Sequence, residues 1–288
     1  MLTSVDRIQL VVADREAAVE TWAALFGAEK LSEGGSRLLN AHRTTVRAGS
    51  TDFEFLQPAG PGRLQHWAER WGQGLYGVGF STPDIGALAR HFDSERVTYD
   101  DEKGRLVLAD EQTHGMPTTI SQDETREPVG HIRHAYEVTN PVADWQDTAA
   151  LYTRIFGLDP TRYSAIRSER FGYEGTLTLF DPPAKLDRIE ITQTWGDGAM
   201  NRFFQKRGPS LYMCYIETDD VMALAERLRA RNARFSQGED RAAEVGLFIH
   251  PTTLNGMLMG VSRTDHAWVW SGHPELAGPG AAELHGEN

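Results

Sequence analysis

One cysteine, Cys214, is all that the 288 residues contain, which rules out an intramolecular disulfide. It sits in an apolar run, residues 211–216, that reads as a buried strand and suits a reducing compartment. No apolar stretch approaches the roughly 20 residues of a membrane span. The first residues, with Asp6 and Arg7 among them, lack the basic and apolar regions of a secretory signal. A cytoplasmic location with no membrane partner is the expectation. Basic charge is also scarce: 29 Lys and Arg face 41 Asp and Glu, for a formal charge of -12. That balance opposes the phosphate neutralisation on which nucleic-acid binding depends, so no nucleic-acid partner is expected. Hydrophobic residues at 40% and charged residues at 24% lie away from disordered compositions, and the length suits two ordinary domains.

What the chain does have is a repeat. One offset of 136 carries Glu54 to Glu190, Gln57 to Gln193, Gly72 to Gly208, Leu75 to Leu211, Tyr76 to Tyr212 and Asp84 to Asp220. Each copy starts as a strand bearing a glutamate, passes through a helix (63–71 and 199–207) and enters another strand. Outside this block the offset changes, because Val12-Ala13-Asp14 matches Val142-Ala143-Asp144. Asp14 is placed to cap a helix that ends at Gly27, with Ala18, Trp22, Leu25 and Phe26 on one face. In the second copy Asn140-Pro141 is expected to start the helix about a turn earlier, with Trp145, Ala149, Tyr152 and Phe156 as its buried stripe. These aromatics are read as core. The intervening strands alternate apolar and polar residues, as in Ile8-Gln9-Leu10 and Arg188-Ile189-Glu190-Ile191-Thr192, which suits a sheet with helices on one face and a cavity on the other.

The polar stretch 122–129 marks the junction, giving a first domain over 1–125 and a second over 130–263. The Gly-, Ala- and Pro-rich remainder, 264–288, reads as a C-terminal arm or tail.

Residues 5–121 and 132–263 resemble the vicinal oxygen chelate superfamily, which includes glyoxalase I, methylmalonyl-CoA epimerase, extradiol dioxygenases, fosfomycin resistance enzymes and bleomycin-binding proteins. The stretches that carry the resemblance are similar to the epimerase branch. They are Asp52-Phe53-Glu54-Phe55-Leu56-Gln57-Pro58 followed by Gly74-Leu75-Tyr76-Gly77-Val78-Gly79-Phe80, then Ser210-Leu211-Tyr212-Met213 with Glu217-Thr218-Asp219-Asp220, and Phe248-Ile249-His250-Pro251 leading to Asn255-Gly256-Met257-Leu258. The resemblance implies an α+β fold of tandem paired βαβββ modules that form cup-shaped mixed β-sheets with helices packed outside. It also implies a divalent metal in the cup, held from the first, fourth, fifth and eighth strands. Those positions fall on Arg7, Glu54, Gly77 and Thr119 in the first half, and on His134, Glu190, Met213 and Gly260 in the second. Such sites need three or four N, O or S donors, so no cofactor is predicted. His134 with Glu190 is the pair that could hold a metal weakly, with His250 and His114 as recruits.

Arg7 and Glu54 read first as an ion pair in a degenerate pocket, second as substrate-binding residues. The second half keeps more chemistry. Strand alternation sets Tyr136, Thr192, Met213 and Glu217 around Glu190, with Tyr212 nearby, as substrate-binding candidates. Glu190 and His134 are the expected proton-transfer pair, with Arg188 or Tyr215 steadying an enolate-like oxyanion. A lyase or isomerase, epimerase-like, acting on a small organic substrate with a carbonyl or aromatic group is the first reading. The alternatives are a non-catalytic binding protein of the bleomycin-resistance type, walled by Trp195, Phe203, Tyr212 and Tyr215, and a metal-dependent ring-cleaving dioxygenase. A homodimer is a further option.

Overall fold

The computed structural model describes residues 1–238 and 242–278. The first half runs β1 (Ser4–Val11), α1 (Arg15–Phe26), β2 (Glu29–Ser36), β3 (Ala41–Ala48), β4 (Thr51–Pro58), α2 (Arg63–Trp71), β5 (Gly74–Thr82), α3 (Ile85–Glu95), β6 (Asp100–Asp101), β7 (Leu106–Leu108) and β8 (Thr118–Gln122). The second repeats it: β9 (His134–Pro141), α4 (Trp145–Phe156), β10 (Tyr163–Ser168), β11 (Tyr173–Thr178), β12 (Arg188–Thr194), α5 (Ala199–Arg207), β13 (Met213–Glu217), α6 (Val221–Ala230), β14 (Phe235–Ser236), β15 (Gly246–Ile249) and β16 (Leu258–Ser262). Two eight-stranded mixed sheets result, ordered β2-β3-β4-β1-β5-β8-β7-β6 and β10-β11-β12-β9-β13-β16-β15-β14. Parallel pairs such as β1 with β4 and β9 with β12 sit among antiparallel hairpins. This is the tandem βαβββ architecture.

The local signals explain the helices. Asp14 accepts from the backbone N–H groups of Glu16 and Ala17, and Gly27 closes α1 in the left-handed conformation at φ 66°. A Cβ on Gly27 would also stand 2.9 Å from the Cα of Gly130, so two constraints select glycine there. Ala18, Trp22, Leu25 and Phe26 are buried as expected, and α2 and α5 keep the bounds read from the repeat. The start of α4 needs correcting. Asp144, not Asn140-Pro141, caps it by accepting from Gln146 and Asp147, and Pro141 instead ends β9 opposite Thr192. A strand pairing thus claimed residues whose local signal favoured a helix start. Trp145 is half-buried, and Thr148 and Ile155 complete the buried stripe in its place.

The chain divides into two compact units, each joining one βαβββ module from either half. One unit comprises Met1–Asp6, Tyr76–Thr125 and Tyr136–Met213. Its core stacks Phe80, Phe156, Phe180 and Tyr152, with ring centroids 5.5 to 6.1 Å apart, and packs α3 on α4. The other comprises Arg7–Leu75, Arg126–Ala135 and Cys214–Asn288. Its core is built on Trp22 against Phe26, Phe53 and Phe55, and packs α1 on α6. Cys214 is buried with its Sγ 3.6 Å from the sulfur of Met257. The expected C-terminal arm contains a short helix, Thr264–Ala267, and 3-10 turns at Val269–Ser271 and Pro274–Leu276; residues 279–288 lie outside the described residues. No helix among the described residues is long and apolar enough to cross a membrane.

Asp187 ties the start of β1 into the first of these units, accepting from the Val5 N–H at 2.7 Å. Burial pushes its carboxyl up from 3.8 to about 7, against the pull of the Val5 N–H, Lys185 and Arg188. The folded state therefore binds this proton more tightly than the unfolded chain. Stability from this group is full below pH 3.8, falls as pH rises towards about 7, and is flat above. Asp187→Asn keeps the acceptor for Val5 and removes the titration. Urea unfolding at pH 5 and pH 8 is expected to show the variant gaining on the wild type at the higher pH, by up to about 3 kcal/mol. An identical difference at both pH values would show that Asp187 ionises freely.

Candidate functional site

Strand register decides which residues occupy equivalent places. In the first half Arg7 faces Asp52 and Gln9 faces Glu54; in the second Glu137 faces Arg188 and Thr139 faces Glu190. Glu137 is therefore the counterpart of Arg7, and it lies as far before the cap Asp144 as Arg7 lies before Asp14. This corrects the placement of His134 at the first-strand position. The sequence did hold the clue, in the offset of the Val-Ala-Asp match counted back along the strand.

The second-half cluster lies within one unit. Arg188 is fully buried, with its Nε 2.6 Å from Glu137 Oε2 and its Nη1 donating to the Leu186 carbonyl at 3.3 Å. The Tyr136 ring centroid is 4.9 Å from the guanidinium carbon, and Arg188 Nη2 has no hydrogen-bond partner among the described residues. Thr139 Oγ1 donates to Glu190 Oε2 at 2.8 Å, and the Glu190 carboxyl also hydrogen-bonds that of Glu137. Burial, then the neighbouring Glu137 charge, raises the Glu190 pKa well above the usual carboxylate range. Two carboxyls thus stand in contact beside one arginine. Glu190 is 8% exposed and Glu137 2%, so Glu190 is the acid nearer solvent.

The first-half cluster has the opposite character. Arg7 Nη1 is 2.7 Å from Glu54 Oε1, Gln9 Nε2 donates to Oε2 at 2.8 Å, and Arg43 Nη1 stands 3.6 Å from Oε2. Glu54 is 0% exposed and Arg7 1%, which makes the pair a buried ionic lock.

The remaining candidates divide between the units. Tyr136, Arg188 and Glu190 come together, and Thr192, Tyr212 and Met213 belong to the same unit. Thr192 donates to the Met200 sulfur at 3.4 Å, while Tyr212 meets Phe203 edge-on at 5.1 Å and has its hydroxyl pKa raised by burial. His134 belongs to the other unit, where its Nε2 is 3.4 Å from Glu217 Oε2; Glu217 is buried and Arg133 lies 3.8 Å from its Oε1. The expected proton-transfer partners are thus each engaged elsewhere, His134 with Glu217 and Glu190 with Glu137 and Thr139. Tyr215 packs edge-on against Phe248, and a Cβ on Gly260 would come within 2.1 Å of its ring. His114 and His250 each direct Nδ1 at a threonine hydroxyl, of Thr148 and Thr252. Glu137 and Thr139 are the members of the cluster that sequence reasoning missed.

The residues at the family's metal positions do not fit a metal. The first half offers Glu54 alone, already neutralised by a guanidinium at the first-strand position. In the second, Glu137 is paired to Arg188, Glu190 is buried and accepts from Thr139, Met213 offers only a thioether, and the aromatic ring of Tyr215 covers Gly260. Among the described residues there is no group of three or more His, Cys, Asp or Glu side chains able to hold a metal ion.

Two models of the Glyoxalase/Bleomycin resistance protein/Dioxygenase superfamily match the chain, one over residues 6–111 and one over 129–261, and the protein belongs to that superfamily. Among solved structures it is similar to a triple mutant of 4-hydroxymandelate synthase from Streptomyces coelicolor, with a TM-score of 0.71 and 13% identity over 95% of this chain and 98% of that one. A xylose isomerase-like TIM barrel/4-hydroxyphenylpyruvate dioxygenase fusion protein aligns with a TM-score of 0.57 and 11% identity, over 91% of this chain and 49% of that one. At these identities the likeness is one of fold. Methylmalonyl-CoA epimerase of Streptomyces coelicolor aligns with 43% of this chain and 100% of its own at 18% identity, but at a TM-score of 0.39 this carries no argument about the branch. No curated protein matches the sequence.

Proposed function

We propose that the protein is a small-molecule enzyme, a lyase or isomerase, that moves a proton next to a carbonyl group with the Glu137–Glu190 carboxyl pair and needs no metal. The observation that carries this reading is the buried pair itself, two hydrogen-bonded carboxyls with Arg188 balancing Glu137. A pair that holds one proton can both give and take one, the requirement for acid–base work on a carbon acid or a leaving group. Glu137 takes the partner role that sequence reasoning assigned to His134. Glu190, nearer solvent, is the residue that meets substrate; a proton passed from substrate to the pair neutralises Glu137 and frees the Arg188 charge to balance the oxyanion that forms. The substrate is a small organic molecule with a carbonyl group.

The test is hydrogen–deuterium exchange at the α-carbon of ketones and thioesters, followed by NMR in deuterium oxide with chelator-treated protein. Exchange is expected to survive removal of divalent ions with less than about a twofold loss, because acid–base transfer between carboxyls asks nothing of a Lewis acid. Exchange seen only after zinc, iron, manganese or nickel is added back, or with none of the carbonyl compounds, would overturn the proposal.

A further inference from the structure

One atom in the cluster has no role in its internal bonding. Arg188 is fully buried, its Nε and Nη1 are engaged with Glu137 and the Leu186 carbonyl, yet Nη2 has no hydrogen-bond partner among the described residues. A buried donor left unmade costs on the order of 1–3 kcal/mol, more when charged, so such an atom calls for an acceptor from outside the fold. Arg188 and Glu190 lie two residues apart on β12 and so point to the same face, where Glu190 is the more exposed, at 8% against 0%.

The charge of the cluster says what kind of oxygen it takes. Arg188 contributes one positive charge and Glu137 cancels it through the 2.6 Å contact. Glu190, a second carboxyl in contact with Glu137, adds no positive charge. A carboxylate on Nη2 would leave an unbalanced negative charge among buried groups, whereas a neutral carbonyl oxygen adds an acceptor and no charge.

We propose that Arg188 Nη2 is an oxygen-anchoring subsite that selects a neutral carbonyl, of a ketone, ester or amide, over a carboxylate. The inference rests on the reading that substrate is bound at the Glu190 cluster, and it sharpens the substrate class.

The experiment titrates the full chain, labelled with nitrogen-15 in arginine, with acetamide and with acetate, two probes of the same shape that differ in charge. The readout is the guanidinium resonance of Arg188, assigned by its loss in Arg188→Lys or, should that variant fail to fold, by its shift in Glu137→Gln. Acetamide is expected to move the resonance saturably and acetate to bind at least about tenfold more weakly, a difference of roughly 1.4 kcal/mol. In Glu137→Gln, where the guanidinium charge is released, the preference is expected to reverse. Acetate binding as tightly as acetamide in the wild type, or an unchanged preference in Glu137→Gln, overturns the charge selection; neither probe moving the resonance overturns the subsite. Because the titration needs no turnover, intact binding with no α-exchange strikes the proposed function alone, and α-exchange with no titration strikes this inference alone.

Discussion

Glu190→Gln is expected to lower the rate of α-exchange by about 10²–10⁴-fold, the range that a positioned acid–base group supplies, with little change in KM. The substitution is chosen because it removes the proton and little else. The amide oxygen can still accept from Thr139 Oγ1, which donates to Glu190 at 2.8 Å, and the amide N–H₂ can donate to Glu137, the carboxyl that Glu190 contacts. Burial that now raises the Glu190 pKa no longer acts on an ionisable group, so the variant should melt no lower than the wild type. Loss of rate in a protein that still melts cooperatively and still binds therefore reports chemistry. An unchanged rate would remove Glu190 from the mechanism, and a loss of both rate and fold would make it a structural residue. Under a purely ligand-holding reading, the wild type would bind carbonyl compounds without exchanging their α-hydrogens, and the substitution would have nothing to lower.

The second large effect is on stability. Arg7→Met is expected to destabilise the protein by about 3–5 kcal/mol, because it removes the nearest cation from a buried carboxylate. Glu54 has no contact with solvent, and after the change Gln9 at 2.8 Å and Arg43 at 3.6 Å still face it. For a chain of this size the loss corresponds to a fall in Tm on the order of 10 °C. Adding Glu54→Leu should recover most of it, since two apolar side chains of similar volume pay no desolvation cost. The check is a double-mutant cycle by urea unfolding. A double variant no more stable than Arg7→Met would mean that the arginine stabilises by packing and that the pair is incidental.

The contrast between these two experiments reflects how the repeat diverged. Both halves place a glutamate on the fourth strand of their sheet, Glu54 and Glu190. Its cross-strand environment differs: Gln9 and the Arg7 guanidinium in one half, Thr139 and the Glu137 carboxyl in the other. A cation beside the first glutamate locks it in an ion pair, while an acid beside the second raises its pKa. One repeated position thus serves as a structural lock in one half and as a candidate acid in the other.

By itself the amino-acid sequence determined whatever depends on neighbours along the chain. Asp14 as a cap, Gly27 as a stop, the Trp22 and Phe26 face, and the helices at 63–71 and 199–207 all follow from side chains within a turn or two of one another. The internal repeat was legible for the same reason, since it requires only order and residue type. Tertiary structure decided the rest. Pro141 became the end of a strand because Thr192 pairs with it, and Glu137 displaced His134 because register on β12, fifty residues away, fixes which side chain stands beside Glu190. Tyr215 covered Gly260, and the modules sorted into units that each draw on both halves. An ion pair or a shared proton acts over about 3 Å, and which charges come that close is set by strand pairing between distant segments, which local pattern does not encode.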